Sequence, residues 1–121
     1  MGCGWFDNPS EPDTVTPTET FSGTLAVQGA NVFTFNVKQT GTVSITLATL
    51  TPTSTVGLGI GTATGTGSTA TCNLTTFTNE ATPGAAPQIT QTAPAGSLCV
   101  RVYDVGKLSA SATFTINVVH P

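Results

Sequence analysis

An all-β fold, a jelly-roll-like antiparallel β-sandwich of about eight strands, is what this sequence predicts, and three observations predict it. Short runs of alternating apolar and polar residues recur along the chain, each closed by Gly, Pro or Asn. Threonine, whose branched side chain suits a pleated backbone, fills the outward slots of these runs. No window repeats apolar residues at helical spacing between capping residues. A length of 121 residues is enough for one domain with a two-layer core.

The first nineteen residues are set apart. Pro9, Pro12 and Pro17 interrupt any regular element, and Asp7, Glu11, Asp13 and Glu19 give this stretch four negative charges. Residues 1–19 are therefore predicted as a flexible acidic tether, and 20–121 as the sandwich.

Within the domain, Phe21 to Val27 is the first expected strand, closed by Gln28-Gly29-Ala30-Asn31. Val32 to Lys38 places Phe33, Phe35 and Val37 on one face, with Thr34 and Asn36 on the other. Gln39-Thr40-Gly41 leads into Thr42 to Leu47, where Val43, Ile45 and Leu47 point inward; these two runs read as a hairpin. Pro52 ends that unit. Val56, Leu58 and Ile60 then alternate with Gly57, Gly59 and Gly61, so one strand face carries no side chains. Close packing by a neighbouring backbone or a ligand lying on the bare face both account for it. Gly61 to Ser68 reads as a loop, Thr69 to Thr75 as a strand and Thr76 to Ala86 as an irregular connection. Gln88 to Thr92 is a weak strand. Pro94-Ala95-Gly96 turns the chain into Ser97 to Val105, and Ala112 to Val119 closes the domain with Phe114, Ile116 and Val118 inward.

Charge narrows the function. Charged residues make up 7% of the chain, against roughly 25% in an average globular protein. Lys38, Arg101 and Lys107 are the only basic side chains. Nucleic acid is not an expected partner, because counterion release needs several Lys or Arg on one face. No catalytic residue is expected. The single histidine, His120, is read as a solvent-exposed end residue, and Glu80 and Asp104 show no sign of sharing a cleft. No metal site and no cofactor are expected, since the cysteines lack close ligand pairs and carboxylates are sparse. Arg101 and Tyr103 share a strand face opposite Leu98, Val100 and Val102, and such a pair is suited to ligand contact. The plainer alternative puts Tyr103 under a loop and pairs Arg101 with an acid.

Cys72 and Cys99 each fall in a strand-like run, and a low-charge, threonine-rich surface favours an oxidising compartment, so a Cys72–Cys99 disulfide is expected. Cys3-Gly4 followed by the acidic Pro/Thr-rich stretch resembles the mature start of a bacterial lipoprotein, which makes Cys3 the candidate lipid attachment site and Met1-Gly2 an expression start replacing a removed signal sequence. Position 6 is Phe6, which does not fit N-myristoylation. The membrane is then reached only through a lipid anchor, as no stretch is apolar enough to span it.

From Phe21 to Pro121 the chain resembles the bacterial pre-peptidase C-terminal domain family. The resemblance runs through Asn31-Val32-Phe33-Thr34-Phe35-Asn36-Val37 with Thr40-Gly41-Thr42-Val43, then Val56 to Ile60, then Ala95 to Asp104 and the closing Thr113 to Val119. It implies a jelly-roll-like sandwich without catalytic residues, appended to exported proteins, whose relatives bind collagen or polysaccharide, some with calcium at an acidic edge. This chain has Asn31 where members often carry Asp, Leu98 where Tyr is common, and no acidic cluster in its body. The functional expectation is a non-catalytic, extracytoplasmic binding or display module of a bacterial cell envelope, contacting an envelope protein or polysaccharide. Its rivals are a structural subunit that self-assembles through uncharged edge strands such as Val32 to Val37, and a carbohydrate-binding module.

Overall fold

The structure is a computed structural model and describes residues 17–65 and 71–121. Cys3 and the tether up to residue 16 lie outside the described residues. Among the described residues eight strands follow one another: β1 (Thr18–Leu25), β2 (Ala30–Val37), β3 (Gly41–Thr51), β4 (Val56–Thr64), β5 (Thr71–Ala81), β6 (Ile89–Ala93), β7 (Gly96–Tyr103) and β8 (Ala112–Val119). They form two four-stranded antiparallel sheets, ordered β1-β8-β3-β6 and β2-β7-β4-β5. Among the described strands only β4 and β5 are neighbours both in sequence and in a sheet; every other connection crosses from one sheet to the other. That alternation is the jelly roll.

The expected hairpin between Val32–Lys38 and Thr42–Leu47 does not form. β2 pairs with β7, and β3 pairs with β8 and β6. Both runs carry an inward apolar stripe, and each stripe is buried equally well from opposite layers of the core. Phe35 and Val37 therefore face Val43, Ile45 and Leu47 across the sandwich instead of lying beside them. Leu58, Ile60, Val100, Val102, Ile116 and Val118 are fully buried in the same interior, each worth roughly 1.5–3 kcal/mol of burial.

β5 is longer than its sequence pattern. It continues through Thr76 to Ala81, the stretch expected to be irregular. Register shifts between Val56 and Leu58 and between Ile60 and Gly61 break its period of two, which hides the strand from a pattern reading. The second shift carries β5 over β4: a Cβ on Gly61 would lie 2.5 Å from the Asn73 carbonyl carbon and 2.8 Å from Leu74 Cα. Cys72, one residue before this crossing, is joined to Cys99 of β7 with the Cα atoms 5.7 Å apart. The expected disulfide is present, and it bridges the two strands that flank β4.

β1 begins at Thr18, so Glu19 belongs to the domain and not to the tether. Nor is His120 exposed: it is 3% accessible. Its Nε2 lies 2.6 Å from Glu19 Oε2, its ring stacks on Phe35 at 5.2 Å, and its backbone N–H donates to the Pro17 carbonyl. The imidazole thus closes the end of the core over Phe35 while tying β1 down. His120→Ala, which empties the buried ring site over Phe35 while the 40% exposed Glu19 carboxylate keeps its access to water, is expected to cost roughly 2–3 kcal/mol in chemical denaturation, mostly through lost packing. A loss below about 0.5 kcal/mol would mean that neither the ring packing nor the Glu19 contact holds this end of the core.

Candidate functional site

The two outer faces of the sandwich differ in chemistry. On the β1-β8-β3-β6 sheet, Thr20, Ser22, Ser44, Thr46, Thr115 and Asn117 point outward, and Thr20 Oγ1 donates to Asn117 Oδ1 at 2.9 Å while the Ser22 and Thr115 hydroxyls lie 3.5 Å apart. This face is a neutral hydroxyl lattice. The β2-β7-β4-β5 face instead carries Arg101, Tyr103, Leu74, Phe77 and the disulfide around the glycines of β4.

Strand register explains the arrangement. Gly57 pairs with Tyr103, Gly59 with both Arg101 and Phe77, and Gly61 with Cys99 and Leu74. Each outward glycine of β4 leaves room that a larger neighbour leans into. The Tyr103 ring lies on Gly57, where any Cβ would overlap it, and Leu74 and Phe77 lean over Gly59. Close packing is thus the use of the bare face, and it fixes the side chains that flank it.

Arg101 and Tyr103 act as a unit. The guanidinium carbon stands 5.0 Å from the Tyr103 ring centroid, a cation–π contact. The Tyr103 hydroxyl donates to Asn79 Oδ1 at 2.8 Å. Burial pushes the Tyr103 phenol above its usual pKa, and the neighbouring Arg101 charge offsets part of that rise. No carboxylate among the described residues lies within ion-pair distance of Arg101. Of the two plainer expectations, the acid partner for Arg101 is absent among the described residues, and Tyr103 packs on the β4 backbone.

Two open depressions border this pair. One, of about 690 Å³, is lined by Thr55, Asn79, Glu80, Tyr103, Asp104 and Lys107. The other, of about 320 Å³, is lined by Ala30, Val32, Thr71, Cys72 and Arg101. Glu80 and Asp104, which the sequence gives no sign of bringing together, border one depression: β5 and β7 both flank β4 and end at the same end of the sheet.

Asp104 is a structural carboxylate. Its Oδ1 accepts the backbone N–H groups of Gly106, Lys107 and Leu108 at 2.8–3.2 Å, and its Oδ2 accepts that of Gln28 at 2.8 Å. The β7–β8 turn is thereby tied to the β1–β2 turn, where Gln28 holds a positive φ of 62°. These bonds, the one from Gln28 foremost, hold the Asp104 pKa below its ordinary value. A depressed folded-state pKa contributes stability above the unfolded value, about pH 4, and that contribution is lost as pH falls through the folded value. Asp104→Asn is expected to lower the melting temperature at pH 7 and to flatten the fall in melting temperature below about pH 4. An unchanged acid profile would show that the turn does not need the charge.

Phe77, 58% accessible, was not expected at the site, nor were Asn79 and Lys107. The available signal was an aromatic residue isolated in a polar run, Thr75-Thr76-Phe77-Thr78-Asn79, with no apolar neighbour at period two. Among the described residues no group of three or more His, Cys, Asp or Glu side chains is placed to hold a metal ion. No protein-family model matches the chain, and no curated protein matches it in sequence.

Proposed function

We propose that this is a non-catalytic binding module of the extracytoplasmic space, held at a bacterial surface through Cys3, with the outer β2-β7-β4-β5 face as its binding surface. The observation that carries the reading is the asymmetry of the two faces. One is a neutral hydroxyl lattice; the other gathers Arg101, Tyr103 and the exposed Phe77 on a fixed glycine strand. Aromatic and Arg side chains are the types that carry recognition energy. The Cys72–Cys99 disulfide fits an oxidising setting. The sole histidine is engaged in packing β1, which supports a domain without acid–base chemistry. The jelly-roll strand order supports the resemblance to pre-peptidase C-terminal domains, which is part of the same proposal.

Retention on chitin, cellulose and cross-linked polygalacturonate tests the reading. At least one should retain the protein, and Phe77→Ala should weaken retention about tenfold, the scale of one lost aromatic contact. Thr115→Ala, on the opposite face, should change nothing. Equal loss from both variants, or no retention at all, would overturn it.

Assembly into a multimer is the second reading, and one observation favours it: β2 is an edge strand and carries no charged residue. Sedimentation equilibrium separates the two, since assembly requires a mass that rises with concentration.

A further inference from the structure

We infer that the ligand is an acidic polysaccharide, a chain of sugar rings bearing carboxylates, and that Arg101 selects for the charge while Phe77 takes the ring. The inference rests on the binding role proposed for this face and names its substrate class.

Arg101 and Phe77 stand in one cross-strand row, each in register with Gly59. Leu74 and Phe77 lean over Gly59 from the β5 side, so Phe77 and Arg101 border the same stretch of the outer face. Phe77 offers an apolar ring 58% accessible to the C–H face of a sugar. Arg101, at the other end, presents a planar fork of donors that matches a carboxylate in two parallel bonds. Its guanidinium has the Tyr103 ring at its side and no acidic partner among the described residues. A cation with no acidic partner among the described residues, beside an open depression of about 320 Å³, is the complement of an anionic group.

The surrounding charges agree. Asp104 spends its oxygens on four backbone N–H groups. Glu80 borders the Tyr103 depression and not the Arg101 one. Lys107 adds a second positive charge at the Tyr103 end. A peptide is a poorer occupant: a main chain is recognised through unpaired backbone groups at a sheet edge, whereas β4 and β7, which carry Gly59 and Arg101, are paired on both sides.

The experiment titrates the full chain with three soluble polymers: polygalacturonate, the same polymer fully methyl-esterified, and polyglutamate. Polygalacturonate should bind at least about tenfold more tightly than either of the others, the scale of one charge-assisted bond pair. Arg101→Gln should bring polygalacturonate down to the esterified level, with Arg101→Lys between, while the melting temperature stays unchanged. Equal affinity for the charged and esterified polymers would overturn selection by Arg101 and leave the binding role standing. Equal affinity for polyglutamate would overturn the sugar. Binding to none of the three, with chitin or cellulose still retaining the protein, would overturn this inference alone; retention by nothing would overturn both.

Discussion

Gly61→Ala is expected to destabilise the domain by about 3 kcal/mol or more, the upper end of what overpacking costs, because the obstruction is backbone. A Cβ at this position meets the carbonyl of Asn73 and the Cα of Leu74 where β5 crosses β4. A side chain in the way can swing aside; a strand held in a ladder and anchored by a disulfide cannot. For a domain of about 100 residues this corresponds to a fall of roughly 15 °C in melting temperature. Gly84→Ala is the control, since a Cβ there has open space around it, and it should stay within about 0.5 kcal/mol of the parent. A small effect at Gly61 would mean that β5 lies beside β4 without crossing it.

The second large effect is loss of the disulfide. Cys72 and Cys99 are 27 positions apart, and closing a loop of that length restricts the unfolded chain by about 3.5 kcal/mol in the chain-entropy account. The Cys72→Ser, Cys99→Ser double variant should therefore unfold at a clearly lower guanidinium concentration, and the parent under reducing conditions should follow it. Both this variant and Gly61→Ala release the same segment, Cys72 to Leu74. Their combination should cost less than the sum of the separate losses, because the crossing can be undone only once. Full additivity would show that the bridge and the crossing are independent.

The sequence was most legible where apolar residues alternate without interruption. β8, expected over Ala112 to Val119, occupies that span, and β2 and β7 fall within two residues of their expected ends. What the pattern does not carry is which sheet a strand joins. Gln39-Thr40-Gly41 looks the same whether the chain folds back beside β2 or crosses to the opposite layer, and the choice is made by β7 and β8, which come some sixty residues later. β5 was half-legible because its register shifts disturb the alternation. At the site, Arg101 and Tyr103 stood out through their shared face. Phe77 did not, because its place in the row depends on Gly59, a residue of another strand. His120 was misread for a similar reason: its burial rests on Glu19 and Phe35, distant in sequence.

Thr18 pairs with Val119, so the chain enters and leaves the sandwich at one end, side by side. Tension applied across residues 18 and 119 would load the β1–β8 ladder from its end, opening one hydrogen bond after another like a zipper. The Gly61 crossing and the Arg101–Phe77 row, both in the other sheet, lie off that line of force. The domain would yield at low force along β1 while the opposite face keeps its shape.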